Sequence, residues 1–180
     1  MTTDVKEPWI VVGYDLFAKN GPPGLKIEVI ARTVQKSKSS FYHHFADVDV
    51  FTQHLIRHHL KRTKIIAQQE RLCNTINPDL IDLLLAVKQD LLFNRQLRVN
   101  RHIPAFKTCF EQSNKEIGDA FLTVWAKDIG LTDKPELASA LFKLALENFY
   151  LQLTDASFTR DWLLNYFSEL RLMVTDFRRS

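Results

Sequence analysis

Residues 26–45 read KIEVIARTVQKSKSSFYHHF: an apolar helix pattern, a polar break, then a short segment dense in hydrogen-bonding and basic side chains. Ile27, Ile30, Ala31 and Val34 recur at offsets of three and four, so on a helix they share one face and must pack against a neighbour. The spacing predicts a buried helix of about two turns. After Gln35 and Lys36, Ser37 suits the N-cap of a second helix, because its hydroxyl can accept a backbone N–H that the helix leaves without a partner. On that helix, starting at Lys38, Phe41 and Phe45 lie four apart and point inward. Lys38, Ser39, Ser40, Tyr42, His43 and His44 are left near or on the exposed side, and each of them can donate a hydrogen bond. A half-buried helix that shows donors and positive or neutral groups suits an acceptor-rich, negatively charged partner. The major groove of DNA is wide enough to admit it.

The pattern extends to either side of this stretch. Upstream come Ile10, Gly13 and Phe17 in an Ile-x2-small-x3-Phe order, then Asn20-Gly21; Ile30-Ala31 and the run SKSSFYHHF follow, with Phe51 beyond. From Trp9 to Phe51 the chain resembles the DNA-binding domain of the TetR/AcrR (tetracycline-repressor) family of transcriptional regulators. The resemblance is sharp over the first third and architectural beyond it. It implies an all-α fold with an N-terminal three-helix helix-turn-helix DNA-binding domain at 1–47. A larger C-terminal helical effector-binding and dimerisation domain would occupy 48–180, with 48–74 as connecting helix. The function implied is that of a cytoplasmic repressor, released from a pseudo-palindromic double-stranded DNA operator by a small-molecule effector. The alternative is a DNA-binding scaffold of the same fold that contacts a protein partner and has no small-molecule inducer.

Roles within the motif follow from chemistry and from the resemblance together. Tyr42 and His44 resemble the family's phosphate-holding Tyr-x-His and would set register more than sequence. Ser39, Ser40 and His43 are the candidates for base edges, Lys38 for a guanine or a phosphate, and Lys36 for a phosphate. Ser37 is needed as a cap whether or not DNA is bound. The chain departs from the family at three places: Gln35-Lys36 replaces Gly-Val in the turn, Lys26 replaces a capping Ser or Thr, and Val48 replaces a Lys. Lys26 and Lys36 are the basic residues placed to compensate. Gln35 would then take a left-handed backbone, at a cost of about 1 kcal/mol relative to Gly.

Charge is unevenly placed. The net charge is only +3, yet residues 1–64 hold 10 Lys+Arg against 6 Asp+Glu, whereas residues 65–180 hold 14 against 15. Five of the six histidines also lie in the first segment. This bias fits an electrostatic footprint for phosphate. No apolar run approaches the length of a membrane span, and MTTDVKEP has no signal-peptide core, so the expected location is the cytoplasm. Cys73 and Cys109 lack metal-ligand spacing and read as free thiols, with redox sensing at Cys109 as the alternative. Phosphate loops, nucleophile elbows and His-Glu-x-x-His are absent from the sequence, so neither an enzyme nor a cofactor or metal is expected.

The rest of the chain reads as helices. A first helix from Pro8-Trp9 to about Asn20 is stopped by Gly21-Pro22-Pro23-Gly24. Asp47 caps a fourth that carries Phe51, Leu55 and Ile56 toward Cys73. Leu80, Leu83, Leu84, Val87, Leu91 and Leu92 predict a fifth, followed by a short basic segment (Arg95, Arg98, Arg101). A seventh helix runs from Pro104 to near Gly130. The last two helices are apolar on broad faces, the final one through Trp162, Leu163, Tyr166, Phe167, Leu170, Val174 and Phe177, which predicts a homodimer through that pair. Phe93, Phe106, Phe110, Phe121, Trp125 and Phe149 are the candidates to line an effector cavity. Arg98, Arg101, His102, Gln112 and Asn148 would supply its polar contacts. His54 and His58, spaced i, i+4 beside His59, lack a third ligand and read as a solvated or interface face.

Overall fold

Helix α1 (Glu7–Asn20) carries Pro8 in its first turn, where a missing N–H is tolerated, and ends at Gly21, whose φ of 65° would strain a side chain. A 3₁₀ turn at Pro22–Gly24 leads into α2 (Ile27–Val34), α3 (Lys38–Phe45) and the long α4 (Val48–Glu70). In this computed structural model, which describes residues 5–179 and side chains as far as residue 175, five more helices follow. They are α5 (Ile81–Ala86), α6 (Lys88–Val99), α7 (Pro104–Asp128), α8 (Pro135–Gln152) and α9 (Arg160–Arg179). There is no strand among the described residues, so the fold is all-α as expected, and no helix is long and apolar enough to cross a membrane.

The first three helices close around the rings that the sequence pattern turns inward. Trp9 meets Phe41 edge-on at 5.7 Å between ring centroids, and Phe41 and Phe45 meet Phe51 at 5.2 and 4.8 Å. Such edge-to-face pairs add about 0.5–1.5 kcal/mol each beyond burial. Gly13 lets α1 press against α4, since a Cβ there would lie 2.3 Å from Phe51 Cζ. Further along α1, Phe17 packs on Phe93 of α6 and Phe106 of α7, so the apolar core runs on into the later helices. At about 1.5 Å per residue, α4 spans roughly 35 Å, lying against α1 at its start and along α7 further on.

Two expectations are corrected here. The fifth helix breaks at Val87 (φ −105°, ψ 22°), and the basic segment with Arg95 and Arg98 belongs to α6 together with Leu91 and Leu92. Neither Gly nor Pro marks the break; packing decides it, because α5 lies on α9 whereas α6 lies between α1 and α7. Helix α4 stops at Glu70 rather than nearer Cys73. At the other end Tyr166 of α9 donates its hydroxyl hydrogen to the Ala145 carbonyl of α8 at 2.5 Å, and ion pairs Arg160–Asp82 and Arg171–Asp128 tie α9 to α5 and α7. On the outer side of α8, Leu137, Leu144 and Leu151 are exposed seven residues apart, 46, 69 and 65 % open to solvent. The side chain of Phe177 lies outside the described residues.

Candidate nucleic-acid interface and interior cavity

The turn between α2 and α3 is closed by backbone alone at one end and by a side chain at the other. Gln35 adopts φ 58°, ψ 43°, and the N–H of Lys36 reaches back to the Ala31 carbonyl at 2.9 Å, the arrangement that usually selects glycine. Ser37 Oγ accepts the Ser40 N–H at 3.2 Å and so starts α3 at Lys38. Ala46 then takes φ 55° in a tight bend, before Asp47 Oδ1 accepts the Val50 N–H at 2.7 Å and starts α4. The positive φ of Ala46 carried no sequence signal.

With Phe41 and Phe45 buried beneath it, α3 presents Lys38, Ser39, Tyr42 and His43 outward, and Lys26, Lys36 and Ser37 are exposed beside it. Tyr42 is 52 % exposed. Ser40 is partly covered, and His44 leans its ring toward Trp9 at 6.4 Å. All nine residues singled out in the sequence therefore lie in or beside one helix-turn-helix. One acid was missed. Lys38 Nζ sits 2.6 Å from Glu28 Oε1 of α2, and this lysine holds the Glu28 carboxyl below its usual range. Ten residues separate the two, a spacing that neither helical nor strand periodicity would single out.

No family model matches the sequence, and no curated protein matches it. Solved structures do. The chain superposes with a TM-score of 0.60 on a protein from Mesorhizobium loti MAFF303099 described as a TetR-family transcriptional regulator, at 16% identity, over 96% of this chain and 95% of that one. One from Rhodococcus sp., described likewise, gives 0.53 at 17% identity over 92% and 97%. The chain has the TetR-regulator fold. At this identity the likeness is one of architecture, and it extends over both the helix-turn-helix and the helices beyond.

Within that TetR-like architecture, the junction of α1, α4 and α6 holds a buried polar network. Tyr14 donates its hydroxyl hydrogen to Asp90 Oδ1 at 2.8 Å and lies 2.7 Å from His59 Nδ1. Arg62 donates to both Asp90 oxygens, from Nε at 2.5 Å and from Nη2 at 2.7 Å. Because the single Tyr14 proton goes to Asp90, His59 must carry its proton on Nδ1, which leaves buried Nε2 without a hydrogen-bond partner. Burial pushes the His59 pKa down to about 4, so the imidazole is neutral near pH 7. Tyr14 stacks on Phe93 at 4.3 Å, which places Phe93 in this junction. His54 and His58 rest against the rings of Phe45 and Tyr14.

The later helices form an apolar cavity of about 40 Å³, walled by Phe121, Trp125, Phe142, Phe149, Tyr150 and Tyr166 with aliphatic neighbours. Of the six aromatic residues expected there, Phe121, Trp125 and Phe149 line it. Phe93 and Phe106 instead bind α1 to the core, and Phe110 packs on Tyr150 from behind. The expected polar residues are not in the lining either. Arg98 pairs with Glu147, and Arg101, His102, Gln112 and Asn148 are turned to solvent, where charged and amide groups keep their hydration. The acid in the lining is one that the sequence did not single out, Glu70, at the last turn of α4. It is 2 % exposed, its Oε2 has no hydrogen-bond partner, and burial pushes its pKa up to about 8. A lone Glu at a helix end, between Gln69 and Arg71, carries no sequence mark of burial.

Proposed function

We propose that the protein is a DNA-binding transcriptional regulator, a repressor that leaves a pseudo-palindromic operator when a small molecule occupies the interior cavity. The observation that carries this is the outer face of α3, capped by Ser37, anchored by Phe41 and Phe45, and otherwise made of hydrogen-bond donors. Residues 1–47 form the DNA-binding part, and 48–180 the effector-binding and dimerising part, with α4 joining them. Ser39, Ser40 and His43 meet base edges, while Tyr42, His44, Lys26 and Lys36 hold phosphates. Lys38 reaches DNA only by leaving Glu28, so this ion pair competes with phosphate. Two copies joined through α8 and α9 would cover the Leu137, Leu144 and Leu151 stripe. They would also set two α3 helices about 34 Å apart on successive major grooves. An effector would act by favouring a dimer whose α3 helices no longer match that spacing.

The test is fluorescence anisotropy with fragments selected from random DNA. Affinity should fall steeply with salt, and Tyr42→Ala should weaken binding about tenfold by removing a phosphate contact. Glu28→Gln should tighten it by about threefold, the worth of an exposed ion pair. Binding of the selected fragments no tighter than that of Tyr42→Ala or Lys38→Ala would reject DNA recognition by α3.

A further inference from the structure

Glu70 is the one buried acid among the described residues whose carboxylate oxygen lacks a hydrogen-bond partner. Burying such a group unanswered costs several kcal/mol on the usual scale, and packing alone does not require an acid at this position. It stands in a wall: on one side the aromatic cavity, on the other a surface groove of about 380 Å³ lined by Arg71, Cys73, Asp119, Thr123 and Lys127 among others. The cavity is large enough for two or three waters, yet the Tyr150 oxygen already accepts from Asn94 Nδ2 and the Tyr166 hydroxyl hydrogen already goes to the Ala145 carbonyl. No Lys, Arg or His among the described residues lines the cavity itself, Arg71 and Lys127 standing on the groove side. Inside the cavity an anion would therefore meet a carboxyl and ring faces, with no cationic side chain in the lining to neutralise it. A cation would meet a carboxylate and aromatic faces, whose quadrupole attracts positive charge.

We propose that Glu70 is the recognition group for a small primary amine, its ammonium seated at the carboxylate and its short apolar tail among Phe121, Trp125, Phe142 and Phe149. This rests on the cavity as the effector site and names the class of effector. The amine approaches through the outer groove, and its tail enlarges the inner space by displacing rings. Near pH 7 burial keeps most of the Glu70 carboxyl protonated. The incoming ammonium leaves no room for that proton, so an R-NH₃⁺ and a carboxylic acid become an ammonium–carboxylate pair and one H⁺ passes to solvent. Helix α4 carries the consequence, because Glu70 ends the helix that Asp47 begins directly after α3.

The test uses the full chain without DNA, n-butylamine as the probe, and n-butanol and butyrate as neutral and anionic controls of similar size. Calorimetry at pH 7 in buffers of different ionisation enthalpy should show butylamine binding with release of close to one proton, and at least tenfold weaker binding of both controls. Glu70→Gln, which keeps the shape and removes the charge, should fold and lose at least tenfold in butylamine affinity with no proton released. Absence of butylamine binding, butanol binding as tight as butylamine, or undiminished binding by Glu70→Gln each overturns the proposal. Operator binding is measured on the same preparations. Loss of the amine result with DNA binding intact rejects the amine and leaves the regulator standing, and the converse rejects the regulator alone.

Discussion

Two buried carboxylates on neighbouring helices meet opposite fates. Asp90, where α1, α4 and α6 join, is met by Tyr14 and by both arms of Arg62, so each of its oxygens accepts a hydrogen bond from a defined donor. Glu70, at the far end of α4, faces aromatic rings and has an oxygen with no partner. A satisfied buried acid locks helices in one arrangement, whereas an unsatisfied one leaves part of its interaction energy to be supplied from outside. The same helix thus carries a fixed joint at its middle, through His59 and Arg62, and an open demand at its C-terminal end.

The largest effect should come from breaking this contrast at Glu70. Its pKa rises from 4.5 in the unfolded chain to about 8 in the fold, so the stabilising effect of its protonation is complete below pH 4.5 and lost as pH climbs to 8. The Glu70 contribution to the unfolding free energy should fall by about 4 kcal/mol over that window, read as the difference between the denaturant curves of the parent chain and Glu70→Gln, and Glu70→Gln should abolish the alkaline limb. An alkaline limb that persists in Glu70→Gln would assign it elsewhere.

Asp90→Ala attacks the other side. It strands Tyr14 and Arg62, and because Arg62 is half exposed and can rehydrate, a loss at the lower end of the usual range, about 3 kcal/mol, is expected in urea unfolding. A loss under 1 kcal/mol would mean that Asp90 is no better provided for than Glu70. His59, in the same junction, gives an acid-side signal of similar or slightly smaller size. Its pKa falls from 6.5 to about 4, so its contribution is present above pH 6.5 and disappears as pH falls through 4, about 3 kcal/mol in all. Between pH 4.5 and 6.5 the His59 and Glu70 slopes oppose each other and the curve should be nearly flat. His59→Phe should therefore uncover the Glu70 slope in that window.

The smallest effect sharpens the contrast between the joint and the turns beside it. Gln35 and Ala46 hold positive φ without being glycine, so Gln35→Gly and Ala46→Gly should each stabilise the chain by about 1 kcal/mol in thermal unfolding. If either destabilises it, the lost side chain mattered more than the strain relieved.

Much of the N-terminal third was legible in the residues themselves. Ser37 and Asp47 cap α3 and α4, Phe41 and Phe45 are buried, Gln35 is left-handed, and Gly21 stops α1, because each depends on chemistry within a few residues of itself. Helix type was readable for the same reason, since period and breaker residues are local. What tertiary structure alone decided depends on residues far apart in the chain. The Lys38–Glu28 pair, the break at Val87, the Tyr14–Asp90 and Arg62–Asp90 bonds across 76 and 28 residues, and the seat of Phe93 against α1 are set by which helices meet. Glu70 is the sharpest case. A glutamate at the end of a polar helix is ordinarily solvated, and only the packing of α7, α8 and α9 around it turns it into a buried acid facing an aromatic cavity.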